Sequence, residues 1–295
     1  MIVIIDSGST KSDWCLVQKD GEYKIISTEG LNPYFLSSED EVKNCLEKEI
    51  YPFLRPEKVD NVYFFGSGCS APEKRQLIHN SLEDFFVNAD IYIEGDLLGA
   101  GIGTSAEKQS IIAIIGTGSS TCLFDGKKII EQLPSLGFIL GDEGSGAKIG
   151  MRILSDYLHK DMPEYMRENF QKKYPCSQVD FLDRVYKREK SNRFLAAFAG
   201  FAMDYKDDTY IIGVLKECFR QFFEKQVLPY PKGNPVNMVG SIAYEAQGII
   251  RELAVEYDVE ISGIFKSPIL GLMEHYKEIY FRELEIKRKI AEKLI

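Results

Sequence analysis

One phrase, used twice, constrains this chain more than anything else in it. MIVIIDSGSTKSDWCLV, from Met1, and SIIAIIGTGSSTCLFDG, from Ser110, each join an apolar run to a turn of glycine and small hydroxyl residues and then to a second apolar run. The apolar run reads as a buried strand, and the turn after it presents backbone N–H groups beyond the sheet, which makes it a cradle for an anion. Two copies so far apart predict two similar domains facing one nucleotide across a cleft. Phosphoryl transfer is the chemistry that such a pair serves.

The rest of the chain follows the same plan. Residues 2–6, 13–18 and 23–28 read as strands, followed by a helix from about Glu39 to Ile50, a strand in VDNVYFFGSG, a helix in PEKRQLIHNSLEDFFV and a strand that stops at Asp96. The strand order repeats at 110–116, 120–125 and 128–132, after which helical patterns dominate residues 145–228. Strand (PVNMVG), helix (SIAYEAQGIIRELAVEY), strand (VEISGIF) and helix (SPILGLMEHYKEI) then precede a charged helical tail. These patterns predict an α/β protein with an N-terminal domain over 1–108 and a second over 109–280. The second carries a helical insertion at about 145–230, and a helix from about 281 packs back on the first.

Composition narrows the partners. At 295 residues, 44% of them hydrophobic, the chain can fill two cores. A net charge of -9 argues against a general nucleic-acid binder, which needs clustered Lys and Arg to displace counterions. A small anionic ligand remains compatible, its charge met by backbone amides and a metal ion. The first apolar run stops at Asp6, too short to cross a membrane, so a soluble cytoplasmic protein is expected. Cys15, Cys45, Cys69, Cys122, Cys176 and Cys218 stand singly, with no CxxC pair and no histidine at ligand spacing, and are expected as buried thiols. His79, His159 and His275 lie in amphipathic helical stretches as surface or packing residues.

Several residues are placed for chemistry. Asp6 closes the first strand ahead of Gly8; an aspartate there often accepts hydrogen bonds from its own turn, but a carboxylate beside a phosphate also calls for a divalent cation between them. Asp6 is therefore expected on the Mg²⁺ side, through water. Gly116, Thr117, Gly118 and Ser119 form the second turn, its glycines admitting a phosphate and its hydroxyls adding donors. A plain hairpin would look similar; the pairing with DSGST favours a ligand. Asp96 follows a strand and opens a helix, which suits an N-cap and a general base equally. In GDEGSG, Asp142 and Glu143 either cap the next helix or grip polar hydroxyls. Gly240 and Ser241, between a strand and a helix, are turn residues on which a base and ribose could lie flat. Lys11 reads as a solvated lysine.

DSGSTKSDW, GTGSS, LGDEGSG and VGSIA, in this order, resemble the N-acetylglucosamine kinase group. That group lies within the BadF/BadG/BcrA/BcrD ATPase family of the sugar kinase, heat-shock and actin superfamily. The resemblance spans most of the chain and weakens over 160–230. It implies two ribonuclease H-like (actin-like ATPase) domains flanking a nucleotide cleft. It also implies a first phosphate loop at Asp6, Gly8, Ser9 and Thr10, a second at Gly116–Ser119, and an adenosine loop from Gly240 and Ser241 to Ala243. Asp96 matches the catalytic base, Asn32 of GLNPY a sugar-contacting position, and Asp142 a carboxylate that binds sugar hydroxyls. Where relatives place an aromatic residue, this chain reads PSLGFIL, with Leu136 and Gly137, which leaves the acetamido pocket open.

The expectation is an ATP- and Mg²⁺-dependent kinase acting on the 6-hydroxyl of N-acetylglucosamine or a related amino sugar, a small-molecule partner, with a homodimer left open. Two rivals remain. One is the ATPase that activates dehydratases through an iron–sulfur cluster, against which the scattered cysteines and the absence of an acidic residue in GTGSST speak. The other is a non-catalytic sugar- or nucleotide-binding regulator, against which Asp6 and Asp96 together speak.

Overall fold

The computed structural model describes residues 1–36, 38–105, 108–187 and 190–293. The chain forms two compact units, one of residues 1–107 with 267–295 and one of residues 108–266. They adjoin in sequence at Glu107 and Lys108, where residues 106 and 107 lie outside the described residues.

In the first unit, β1 (Ile2–Ser7), β2 (Lys11–Val17) and β3 (Tyr23–Glu29) form an antiparallel meander. The helix α1 (Glu39–Cys45) follows, then β4 (Asn61–Gly66), α2 (Pro72–Phe85), β5 (Asp90–Gly95) and α3 (Asp96–Thr104). The sheet order is β3-β2-β1-β4-β5, with β4 parallel to both neighbours. β1 is apolar on both faces because both are covered. Val3 and Ile5 pack with Trp14, Phe64, Ile78 and Leu82 on one side. Ile2 and Ile4 face the other side, where each fully buried aliphatic chain contributes about 1.5–3 kcal/mol.

In the second unit β6 (Ser110–Ile115), β7 (Ser119–Phe124) and β8 (Ile129–Gln132) repeat the meander. There follow α4 (Gly137–Leu140), α5 (Gly146–His159), α6 (Glu164–Lys173), α7 (Gln178–Tyr186), α8 (Ser191–Asp204) and α9 (Thr209–Phe222). β9 (Val236–Val239), α10 (Ser241–Glu245), α11 (Gln247–Glu256) and β10 (Ile261–Phe265) complete the unit. The sheet order is β10-β9-β6-β7-β8, the first sheet's order read from its other edge. The helical segment has its own aromatic centre, with Phe170 in tilted and edge-on contact with Phe181, Phe198 and Phe201.

The return to the first unit begins at Ser267, earlier than the expected helix from about 281. One continuous helix, α12 (Ile269–Lys293), replaces the expected helix and separate tail. Its Ile269, Leu272, Met273 and Tyr280 cover the Ile2, Ile4, Cys15 and Val17 face of the first sheet, so the helix joins that unit from its first turn.

Candidate active site

The first turn is built from hydroxyls and one close backbone approach. β1 and β2 pair Asp6 with Asp13 and Ser7 with Ser12, and Gly8 N–H closes the turn onto Lys11 O at 2.9 Å. The Ser7 and Ser12 hydroxyls lie 2.7 Å apart, and both accept from Leu31 N–H, at 3.0 and 3.3 Å. Gly30 N–H donates to Thr10 O at 3.0 Å. A Cβ on Gly30 would stand 2.3 Å from Gly8 O, so only glycine lets this strand lie on the turn. Asn32, 5% exposed, is held by the same overlay. Its Nδ2 donates to Ser9 Oγ at 2.8 Å and Ser67 Oγ at 3.4 Å, and its Oδ1 accepts from Tyr34 N–H at 3.0 Å.

Asp96 stands beside these groups because β4 and β5 pair Gly66 with Gly95. It is the first residue of α3, not its cap; Gly95 holds the cap position, and Asp96 Oδ1 accepts from its neighbour Leu97 N–H at 3.0 Å. Burial raises the proton affinity of its carboxyl, opposed by the Leu97 amide and the Ser67 hydroxyl. Asp6 is pushed up to about 7, chiefly by burial, then by the negative charges of Asp96 and Asp13; the Ser267 hydroxyl, 3.3 Å away, and Lys11 oppose this. Lys11 does little to neutralise Asp6 because its ammonium is engaged by Asp13 Oδ1 at 2.7 Å, an oxygen that Ser27 Oγ also reaches at 2.7 Å.

This end of the first sheet thus carries carboxylates with too little positive charge near them. Among the described residues no group of three or more His, Cys, Asp and Glu could hold a metal ion. Mg²⁺ needs no such cage, since it binds through one or two carboxylates plus phosphate oxygens and water. Asp6 fits that role: the charge it lacks is what a nucleotide-borne cation brings.

The second turn is tied down differently. Gly116 N–H donates to Gly118 O at 2.9 Å. The amides that open α5 are spent on the turn, Gly146 N–H on Gly116 O at 2.8 Å and Ala147 N–H on Thr117 O at 3.1 Å. Ser145 caps α5 through Lys148 N–H. Ser119, expected to offer a hydroxyl to a phosphate, is buried and donates to Glu143 O at 2.8 Å. Asp142, at φ +56°, leans over the turn, its Oδ2 2.9 Å from where a Cβ on Gly118 would be. Burial raises its proton affinity against the Ser119 amide. Glu143 accepts from Gln226 Nε2 at 2.9 Å. Gly240 N–H donates to Phe265 O at 2.9 Å, and its Cα passes so near β6 that a Cβ would stand 2.2 Å from Ile115 O. Ser241 opens α10 and is exposed.

Asp6, Gly8, Ser9, Thr10, Asn32 and Asp96 therefore belong to the first unit, and Gly116–Ser119, Asp142, Gly240 and Ser241 to the second. Gly30, Ser67 and Ser267 escape sequence reasoning. GSGCS after a strand marks Ser67 weakly, whereas nothing marks Ser267, which reaches Asp6 from 261 residues away.

Two five-stranded sheets of one strand order, each opening on a glycine–hydroxyl turn, are ribonuclease H-like domains, and a chain that carries two has the actin-like ATPase fold of sugar kinases. Residues 4–254 match the profile of the BadF/BadG/BcrA/BcrD ATPase family, and the chain belongs to that family. It is similar to a proposed N-acetylglucosamine kinase of Porphyromonas gingivalis, whose crystal structure shares 33% identity with a TM-score of 0.88 over 94% of this chain and 98% of that one. The N-acetylmuramic acid/N-acetylglucosamine kinase of Clostridium acetobutylicum is 21% identical over 75% of this chain and 76% of its own. A ROK family glucokinase of Streptomyces griseus, solved with glucose and AMPPNP, shares the fold at 12% identity and a TM-score of 0.56, covering 92% of this chain and 97% of its own. The chain is a kinase-like enzyme. Among the described residues no helix is long and apolar enough to cross a membrane.

Proposed function

We propose that this protein transfers the γ-phosphoryl group of ATP to the 6-hydroxyl of N-acetylglucosamine or a closely related amino sugar. The observation that carries the reading is Asp96: a buried carboxylate of raised proton affinity, beside the first turn and within the hydrogen-bond network of Asn32 and Ser67. In this reading Asp96 accepts the hydroxyl proton as the sugar oxygen bonds to the γ-phosphorus, and the bond from that phosphorus to the bridging oxygen breaks to release ADP. The Gly8–Thr10 and Gly116–Ser119 turns take the phosphates, and Gly240 and Ser241 take the adenosine. Asn32 and Asp142 hold sugar hydroxyls. Asp6 holds Mg²⁺ through water, and the cation supplies charge neutralisation at the phosphate oxygens. A small-molecule substrate in the cytoplasm suits the net charge of -9 better than a nucleic acid does.

The likeness to the Porphyromonas gingivalis and Clostridium acetobutylicum proteins supports an amino sugar. A site that pairs with an acetamido group leaves polar atoms unsatisfied when the group is missing, a loss of about 1–3 kcal/mol per orphaned partner. Comparing kcat/KM for N-acetylglucosamine, N-acetylmuramic acid, glucosamine and glucose tests the proposal, and glucose is expected to be the poorest. ATP hydrolysis indifferent to every sugar would point to a dehydratase-activator type of ATPase, and ATP binding without turnover to a regulator.

A further inference from the structure

β4 ends at Gly66, which pairs with Ser7 of β1 on one side and Gly95 of β5 on the other. The next residue, Ser67, therefore stands between the first turn and Asp96. Its backbone is fixed there, since Ser67 N–H donates to Ser7 O at 2.8 Å. Asn32 Nδ2 points at its Oγ, 3.4 Å away. A serine hydroxyl that accepts from an amide keeps one proton to give. We propose that Ser67 is a positioning residue, a hydroxyl relay that accepts from Asn32 and donates to Asp96, holding the base in one orientation and linking it to the sugar-side residue. The hydrogen bond from Ser67 also opposes the rise in proton affinity of Asp96, as a donor to its charged form must. Asn32 completes the relay toward the phosphates through Ser9, in the first turn. Two side chains, the Asn32 amide and the Ser67 hydroxyl, thus connect the phosphate turn, the sugar side and the base.

The inference rests on the kinase reading above, with Asp96 as base. It is tested by steady-state kinetics with Mg²⁺, ATP and N-acetylglucosamine on Ser67→Ala, Ser67→Cys and Ser67→Thr. Ser67→Ala is expected to lower kcat roughly 10- to 100-fold, the range for losing a hydrogen bond to a charged group, with KM for ATP unchanged. Ser67→Cys, near in shape but a weak donor, is expected to fall with alanine, and Ser67→Thr to recover most of the activity. Should the alanine variant fail to fold, the cysteine and threonine variants decide alone. In an Asp96→Asn background Ser67→Ala is expected to cost almost nothing more, because the relay has lost its end point. A kcat near that of the unaltered enzyme in Ser67→Ala or Ser67→Cys, a threonine variant as poor as alanine, or an equal fractional loss in the Asp96→Asn background each overturns the relay. Full turnover in Asp96→Asn alone overturns the base assignment instead.

Discussion

The two hairpin turns share a sequence phrase and a place in their sheets, yet they obtain their carboxylates by different routes. The penultimate residue of β1 is Asp6, whereas that of β6 is Ile114. The first turn has a carboxylate built into its strand and a second, Asp96, just past the end of β5, two strands along the same sheet. The second turn borrows Asp142 from a connecting loop, and that loop is stitched to it by the opening amides of α5. Strand ends are rigid, so the first arrangement suits groups that must act at a fixed distance from a reacting atom. A loop carboxylate suits a group that grips. In the proposed reading the same phrase serves chemistry in one unit and holding in the other.

The sharpest way to break this comparison is to remove the proposed base. Asp96→Asn is expected to lower kcat by roughly two to four orders of magnitude with ATP affinity intact, read by steady-state kinetics and ATP titration. Near-normal turnover in the folded variant would assign the fixed carboxylate a structural task and erase the contrast.

Next come the glycines that seat each turn. Gly30→Ala drives a methyl into the Gly8 carbonyl, backbone that has nowhere to go, and is expected to cost about 1–3 kcal/mol and to raise KM for ATP. Gly118→Ala meets only the tip of Asp142, a side chain that can turn away. It is expected to cost less than about 1 kcal/mol and to weaken sugar binding more than ATP binding. Thermal melts and the two KM values check this; equal penalties would mean that the second turn is as rigidly seated as the first.

The smallest effect is in the free protein's stability. The Asp6 carboxyl titrates near its ordinary 3.8 when unfolded and near 7 when folded, so between those values the folded chain binds more protons and stability falls as pH rises. Asp6→Asn removes this penalty and is expected to raise Tm by a few degrees at pH 8, leave it nearly unchanged at pH 4, and weaken the response of turnover to Mg²⁺. A Tm difference equal at both pH values would show that Asp6 is not strained by its surroundings. Burial and Glu143 raise the proton affinity of Asp142 in the same sense, so Asp142→Asn is expected to move Tm in the same direction at pH 8.

Both meanders, the helical middle and the strand-to-helix passage at Gly240 were legible because their signals are local: apolar runs of strand length punctuated by Gly, Ser and Asp. The three histidines fall on α2, α5 and α12, as their amphipathic settings imply. What was not legible is what tertiary folding decides. The apolar stripe of α12 shows that the helix is buried, but not that its partner is the strand pair at the chain's other end. Ser119 looks like a ligand donor in sequence, and only the fold gives its hydroxyl to Glu143. Ser67 and Ser267 come near carboxylates through β-register and a long-range return; the first leaves only a weak local trace in GSGCS and the second none.

The late return of α12 fixes the order in which the molecule can be made. A ribosome releases residues 108–266 as one uninterrupted stretch, so the second unit has all its parts while Ile2, Ile4, Cys15 and Val17 still lack the helix that covers them. The first portion synthesised is thus the last to be finished, and for the whole of the intervening translation it presents a bare aliphatic sheet face, the kind of surface that chaperones shield and that associates when they do not.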